Sequence, residues 1–188
     1  MPDTTELYRR AVEEFAKRVA KIRDDQWHDA TPCADWDVRT LVGHLVYEDL
    51  WFVALVRGET IPEVGDRFEG DNLGDDPRGA WDRASAEALR VAGEQGALAR
   101  TVQLSRGPVP AEDYTWEVLM DHTIHSWDLA RGIEDDATID PTLIDALRGW
   151  VPPRLELMRA SGGFADPIEL APDASEQDQL LAMLGRRP

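Results

Sequence analysis

The segment from Val38 to Arg57 constrains the fold more strongly than any other part of the sequence. Asp37, immediately before it, suits the N-cap of a helix, and Gly58, immediately after it, is a common helix stop. The segment is dense in apolar residues: Val38, Leu41, Val42, Leu45, Val46, Leu50, Trp51, Phe52 and Leu55. A helix this apolar has to be covered by other helices, so it predicts the centre of a helix bundle.

Three further segments have the apolar spacing of three and four residues that is typical of amphipathic helices. Thr4 or Thr5 is expected to cap the first of them, Asp76 precedes the second with Pro77 at its first position, and Gly132 ends the third. These predicted helices cover residues 4–24, 77–91 and 112–131. Residues 59–76 are expected to form a loop, residues 101–104 a short extended piece and residues 106–110 a turn. Together with the apolar helix, the segments predict an all-α protein with a four-helix bundle over about residues 4–132.

The remainder of the chain predicts a C-terminal helical appendage over about residues 138–186. Asp140-Pro141 repeats the combination of cap and proline and begins a fifth helix, which Pro152 ends or kinks. Ser175 is expected to cap a last short helix over residues 176–184. Because 188 residues suit one hydrophobic core, all of residues 1–188 are predicted to form a single domain.

Composition excludes several classes of function. The net charge of −17 argues against nucleic acid and against an anionic membrane surface, because both require clustered Lys and Arg. The first residues lack a basic and apolar leader, and no run of 18 apolar residues follows, so a cytoplasmic protein is expected. Cys33 is the only cysteine, which excludes an intramolecular disulfide and a zinc site built from cysteines.

Histidine placement indicates a metal site. Asp121 and His125 are four residues apart on a predicted helix and therefore share one face. His44 lies in the apolar central helix, which could bring it opposite this pair. Two imidazoles and one carboxylate would leave coordination positions open, as a catalytic ion requires, so His44, Asp121 and His125 are predicted to bind a divalent metal. Zinc is the first candidate, with nickel, iron and manganese as alternatives.

Simpler interpretations stand beside this one. A histidine in an apolar helix is more often a hydrogen-bonded core residue, and a carboxylate one turn from an imidazole is common. Glu48 could act as a base or be a solvated charge, and Asp128 could orient His125 or pair with an arginine. Cys33 could be a small buried filler or a reactive thiol.

Three motifs resemble one family. The sequence from Thr31 to Leu45, which contains TPCADWDVR and LVGHL, is similar to the opening of the mycothiol-dependent maleylpyruvate isomerase N-terminal type within the DinB/YfiT-like superfamily. The run HSWDLAR, His125 to Arg131, resembles that family's His-x-Trp-Asp-Leu-Ala-Arg. The tail LLAMLGRRP is similar to the ending of an uncharacterised branch. The resemblance covers essentially the whole chain.

The resemblance implies a DinB-like four-helix bundle whose metal ligands fall on His44, Asp121 and His125. The first member of the pair on the last bundle helix is His in many DinB-like proteins and Glu in the mycothiol-type isomerases. Asp121 departs from both, so His122 is kept as an alternative ligand. The resemblance also implies a small thiol such as mycothiol, which the metal would help to deprotonate.

Three hypotheses follow for function. The first is a metal- and thiol-dependent transferase or isomerase acting on a small molecule. The second is a metal-binding bundle that serves as a sensor or interaction module, and the third is a metal-free structural bundle. Because isomerases of this kind carry a further C-terminal domain, activity on maleylpyruvate itself is not expected to transfer unchanged. A monomer and a homodimer both remain open.

Overall fold

The structure is a computed structural model that describes residues 3–160 and 165–188. Within these residues the regular secondary structure is helical apart from one short hairpin and an isolated bridge between Ala30 and Asp37, which confirms the predicted all-α fold. The elements are α1 (Thr4–Val19), α2 (Val38–Val56), α3 (Ile61–Val64), α4 (Pro77–Ala92), β1 (Thr101–Leu104), β2 (Gly107–Pro110), α5 (Ala111–Gly132), α6 (Pro141–Trp150), α7 (Leu155–Ala160) and α8 (Glu176–Met183).

The chain divides into two compact units between Ala137 and Thr138. The first unit contains α1 to α5 with the hairpin, and the second contains α6 to α8. The division falls between the predicted bundle and the predicted appendage. The grouping of both into a single domain stays a prediction.

Four long helices, α1, α2, α4 and α5, form the bundle of the first unit. As its composition predicts, α2 is buried along most of its length, and its largest buried side chain is Phe52. Aromatic rings from neighbouring helices fill the same core, with the Phe15 and Trp81 ring centroids 4.7 Å apart. Such packing of large apolar side chains is the main favourable contribution to the stability of the bundle.

The first helix is shorter than predicted and is capped differently. It ends at Val19 instead of residue 24: the backbone N–H groups of Lys21 and Ile22 bond to the carbonyls three residues earlier, so the α-helical hydrogen-bond pattern stops there. Its N-cap is Asp3, whose carboxylate accepts a hydrogen bond from the backbone N–H of Glu6. Thr4 is inside the helix, and its hydroxyl donates to Glu112 on α5.

Two connections contain more regular structure than predicted. The segment 59–76 includes the short helix α3, which begins at a capping box formed by Thr60 and Glu63. Residues 107–110, predicted as part of a turn, are a strand that pairs antiparallel with β1. Only Ser105 and Arg106 form the turn, and Gly107 beyond it has φ +113°.

The other predicted boundaries in the bundle agree with the structure within one or two residues. Asp37 caps α2 by accepting a hydrogen bond of 2.7 Å from the backbone N–H of Thr40, and Asp76 caps α4 in the same way. The last bundle helix, α5, extends from Ala111 to Gly132. These caps fix where α2 and α4 begin.

In the second unit α6 and α8 begin where predicted. The side chains of Asp140 and Ser175 accept hydrogen bonds from the backbone N–H groups of Thr142 and Asp178. A 3-10 turn at Pro152–Arg154 and the short helix α7, neither of which was predicted, follow α6. In the part of the chain that the structure describes, every helix is too short or too polar to cross a membrane.

Candidate metal centre

The helices α2 and α5 bring His44, Asp121 and His125 together. One potential ligand atom from each of the three side chains lies within 4.8 Å of the other two. Asp121 joins the histidines: its Oδ2 atom is 2.8 Å from Nε2 of His44, and its Oδ1 atom is 3.4 Å from Nε2 of His125. The spacing of one helical turn between Asp121 and His125 puts both on the face of α5 that meets α2.

The cluster is partly open to solvent. The side chains of His44 and Asp121 retain 24% and 23% of their accessible surface, whereas His125 retains 7%. A small molecule can therefore reach the cluster from the side of His44 and Asp121, while His125 closes its inner side.

Asp128 and Cys33 contact His125 at the Nδ1 atom of its ring. Nδ1 of His125 lies 2.9 Å from Oδ2 of Asp128, a side chain with no solvent exposure. The same oxygen accepts a hydrogen bond of 3.2 Å from the thiol of Cys33, whose sulfur is 3.7 Å from Nδ1 of His125. If Nδ1 carries the proton shared with Asp128, the lone pair of Nε2 is left facing Asp121 and His44.

The loop before α2 covers the cluster with an aromatic ring. The indole of Trp36 lies 4.8 Å from the His44 ring and 5.7 Å from the His125 ring, centroid to centroid. Thr31 fixes this loop because its hydroxyl donates to the carbonyl of Trp36. Asp35 takes a left-handed conformation, with φ +65°, and so allows the chain to turn sharply between Cys33 and Trp36.

The charges of the cluster stabilise one another. Burial opposes ionisation of Asp121, but the neighbouring His125 and His44 outweigh it and hold the pKa of Asp121 well below its usual range. Burial would likewise lower the pKa of His125. The charge of Asp121 and the hydrogen bonds to Asp121, Asp128 and Cys33 instead raise this pKa well above the usual value. The cluster therefore favours a cation next to the Asp121 carboxylate.

His122, the alternative ligand, points away from this cluster. Its ring is fully buried, with Nδ1 2.8 Å from the carbonyl of Val118 and Nε2 3.3 Å from Oδ1 of Asp49. The hydroxyl of Tyr8 donates to the same Asp49 oxygen. His122, Asp49 and Tyr8 form a polar cluster inside the bundle, and the geometry favours Asp121 over His122 as the neighbour of His44 and His125.

Glu48 lies one turn after His44 on α2 and is half-buried. Burial, followed by the charge of Asp121, raises the pKa of Glu48 to about 7. Glu48 lines a cavity of about 290 Å³ together with Tyr47, Tyr114 and Glu117. It is therefore not the fully solvated charge that one interpretation of the sequence allowed.

Two features of the site were missed in the reasoning from single residues. Trp36 contacts both histidines, and the signal for it was its place in the TPCADW motif. Asp49 is the buried partner of His122, and the signal for it was a carboxylate within the most apolar helix. Neither contact follows from spacing along one helix, because each joins two segments that are distant in the sequence.

The fold and the site together define a class of protein, a DinB-like helical bundle with a cluster of histidine and carboxylate side chains between two of its helices. Residues 8–130 match the family described as the mycothiol maleylpyruvate isomerase N-terminal domain. The chain belongs to this family. The matched region contains His44, Asp121 and His125.

Several relatives share the sequence or the fold. An uncharacterized protein of Mycobacterium tuberculosis, found in strains CDC 1551 / Oshkosh and ATCC 25618 / H37Rv, is 28% identical over 98% of both chains. The crystal structure of the mycothiol-dependent maleylpyruvate isomerase is similar with a TM-score of 0.61 and 18% identity, over 80% of this chain and 70% of that one. A histidine-to-alanine mutant of that enzyme matches equally well, at 17% identity. At these identities the two crystal structures support the fold.

Proposed function

We propose that this protein binds one divalent metal ion through His44, Asp121 and His125 and catalyses a thiol-dependent transfer or isomerisation of a small molecule. The observation that carries the proposal is the convergence of these three side chains, from two helices, within 4.8 Å. In the part of the chain that the structure describes, one other group of potential ligands lies as close together, namely Cys33, His125 and Asp128. Because that group shares His125, both lie in the same small region.

The donor set fits a divalent metal. Two imidazole nitrogens and one carboxylate oxygen are the ligands of many catalytic zinc sites, and three protein ligands leave at least one position open. The partial exposure of His44 and Asp121 supports access to such a position. Zinc is the first candidate, and nickel, iron and manganese accept the same donors. A bound ion would lower the pKa of a thiol or a water molecule next to it.

The surrounding residues are suited to support such chemistry. Asp128 can keep the proton of His125 on Nδ1, so that Nε2 remains an electron-pair donor. Trp36 excludes water from one side of the two imidazole rings. Glu48, with a pKa of about 7, can accept or release a proton at neutral pH one turn away from His44.

The thiol is the part of the proposal that rests on relatives. The family description and the fold neighbours name mycothiol, so mycothiol is the first thiol to test. The names of these proteins also contain maleylpyruvate, but the similarity to the isomerase structure is 18% in sequence and supports the fold. We therefore propose a small thiol as co-substrate and do not carry maleylpyruvate over to this protein.

Elemental analysis tests the metal. Protein purified without an affinity tag or added metal should contain about one divalent ion per chain, and His44→Ala should contain none while keeping its helical circular dichroism spectrum. His28→Ala is the matched control, because His28 is a solvent-exposed histidine paired with Asp37 outside the cluster. Full metal content in His44→Ala would contradict the proposed site.

Cobalt-substituted protein tests the thiol. A sulfur ligand adds an intense charge-transfer band in the near ultraviolet, so mycothiol should produce this band in wild type and in Cys33→Ser, which removes the protein's own thiol. Metal content without a response to any small thiol would favour the non-catalytic metal-binding module. Absence of metal from correctly folded protein would favour the structural bundle.

A further inference from the structure

A groove of about 380 Å³ opens beside His44. One wall is the face of α2 that carries Thr40, Gly43, His44 and Tyr47; Thr40 and His44 are four residues apart, as are Gly43 and Tyr47. The opposite wall is the segment from Phe68 to Leu73 in the connection between α3 and α4. Because His44 lies in the wall, a molecule that reaches the candidate metal centre through this groove leaves its remaining part inside it.

The segment that forms the second wall is held in place by hydrogen bonds. The Asp71 carboxylate accepts from the backbone N–H groups of Leu73 and Gly74, and the Asn72 amide donates to the carbonyl of Phe68. The Arg39 guanidinium donates to both Asp71 and the carbonyl of Gly74 at 2.8 Å. These hydrogen bonds therefore hold the segment in the conformation that forms the second wall.

Charges in the groove are mainly negative. Asp37, Glu69 and Asp71 contribute three carboxylates, whereas Arg39 is the one cationic side chain among the groove's residues and already pairs with Asp71. Burial raises the pKa of Asp37, but hydrogen bonds from Thr40 and His28 outweigh it and lower this pKa. Hydrogen bonds from Leu73 and Arg39 lower the pKa of Asp71. Both groups are thus ionised at neutral pH.

The chemistry of the walls selects a ligand class. Carboxylates accept hydrogen bonds and do not donate them, so a ligand must offer hydroxyl or ammonium donors. Trp36, Tyr47 and Phe68 add apolar rings against which carbon atoms of a ligand can pack. A ligand with its own carboxylates would meet repulsion from the net negative charge and should bind about tenfold more weakly, which corresponds to about 1.4 kcal/mol.

We propose that this groove receives a hydroxyl- or amine-bearing, non-anionic part of a substrate and rejects a carboxylate-bearing one. The inference rests on the proposed function, because it assigns a substrate class to the same site. It also separates this protein from any enzyme whose substrate is a dicarboxylate. The specificity arises from Glu69, Asp71 and Asp37 rather than from the metal ligands.

Para-substituted benzyl thiols test the charge preference on cobalt-loaded protein. The thiol carries a para hydroxymethyl, aminomethyl or carboxylate group, none of which can reach the ion that binds the sulfur, and the methylene insulates the sulfur from the substituent. We expect the carboxylate to bind about tenfold more weakly than the other two, as measured by the charge-transfer band. Equal or tighter binding of the carboxylate would overturn the inference while leaving the proposed function intact.

Two lysine variants locate the preference. Glu69→Lys cancels the net negative charge of the groove and should reduce the tenfold difference to about twofold or less. Asp66→Lys is the matched control, because Asp66 is an exposed carboxylate of the same connection that does not line the groove. If Asp66→Lys reduces the difference as much as Glu69→Lys does, the preference comes from the overall charge of the protein and the inference is wrong.

A measurement on metal-free protein keeps the inference testable if no thiol binds. Benzylamine, benzyl alcohol and benzoate are titrated at millimolar concentration, and the indole N–H resonance of Trp36, identified with Trp36→Phe, is followed by NMR. Benzylamine and benzyl alcohol should shift this resonance, and benzoate should shift it at least severalfold less. A response to benzoate equal to the others, or no response to any of them, would overturn the inference independently of the metal.

Discussion

The protein pairs a histidine with an aspartate at two places between the same helices, and solvent access separates them. At the candidate metal centre Asp121 contacts His44 and His125, and the cluster opens to solvent. In the core, Asp49 contacts His122, and both side chains have no exposed surface. Asp121 and His122 are adjacent in the sequence but face in different directions on α5, so one residue of helical rotation separates an accessible polar site from a buried one.

The surroundings of the two pairs differ as much as their exposure. The His122 ring lies against the rings of Tyr8, Phe15 and Trp81, with centroid distances of 5.6, 6.3 and 5.7 Å. Three aromatic rings leave little room for an ion or a substrate, so this pair contributes to the core of the bundle. The same residue types therefore have two roles. Histidine and aspartate form a candidate ligand set where several donors converge near solvent, and a structural contact where aromatic rings enclose them.

The largest expected effect concerns metal affinity. Asp121→Ala should weaken binding of zinc or cobalt by more than about 100-fold, which exceeds the usual effect of residues that support ligands. His122→Ala should leave the affinity of the folded protein within about threefold of wild type. Isothermal titration with both variants measures the difference. The reverse order would remove the distinction between the two pairs and make His122 the ligand.

Loss of His122 should have a large effect on the free energy of unfolding, in contrast to its small effect on metal affinity. His122→Ala leaves Asp49 in the core without its imidazole and should lower the free energy of unfolding by about 3 to 5 kcal/mol, measured in urea. His28→Ala is the control: His28 and Asp37 form the same kind of pair at 2.9 Å, but the His28 side chain is 79% exposed. Its loss should cost less than about 1 kcal/mol. Similar costs in the two variants would mean that burial does not distinguish the pairs.

Asp128 allows a finer test of the open pair. Asp128→Asn keeps the size of the side chain but weakens its hold on Nδ1 of His125, and should reduce metal affinity by about 10- to 100-fold. Cys33→Ala, which removes the hydrogen bond from the thiol to Asp128, should have a smaller effect. Metal titration, with thermal unfolding to confirm that both variants fold, provides the measurement. An unchanged affinity in Asp128→Asn would show that His125 needs no support.

The smallest expected effect is the pH dependence contributed by Glu48. Its pKa is raised from 4.5 to about 7, so ionising it in the folded protein costs free energy as the pH rises from about 4.5 through 7. Glu48→Gln removes this cost. The metal-free variant should match wild type near pH 4.5 and be more stable at pH 8 by about 1 to 2 kcal/mol, which is less than the full shift in pKa would give because solvent screens the partly exposed Glu48 side chain. A difference that does not change between these pH values would contradict the raised pKa.

The bundle was largely predictable from the sequence because its helices carry their own boundaries. Asp37 and Asp76 cap the bundle helices that they were predicted to cap, as Asp140 does for α6 of the second unit, and the apolar density of α2 correctly indicated its burial. The predicted end of α1 was wrong because the apolar spacing continues to Ile22. This residue is buried in the core but lies beyond the last residue of the helix. The second strand of the hairpin was missed because a four-residue strand with two prolines has no recognisable period.

The candidate site was only partly predictable for a different reason. The pairing of Asp121 with His125 follows from helical spacing, but the approach of His44 depends on how α2 packs against α5, which the apolar pattern does not specify. The contacts of Cys33 and Trp36 depend on a loop whose path is set by Thr31 and Asp35. Helical spacing predicts which residues share a face of one helix. Contacts between residues of different segments depend on the tertiary structure and do not follow from spacing.

The candidate metal centre joins residues of two helices that are distant in the sequence. This separation affects the rates at which a metal ion would bind and dissociate. His44 and Asp121 are 77 positions apart, so the donor atoms meet only while α2 and α5 remain packed. An ion bound by residues of both helices would therefore be released when α2 and α5 separate. Rotation of a single side chain would not be sufficient. Amide hydrogen exchange along α2 and α5 should slow on loading with zinc, and the dissociation rate of zinc should change in parallel with the opening rate of these helices.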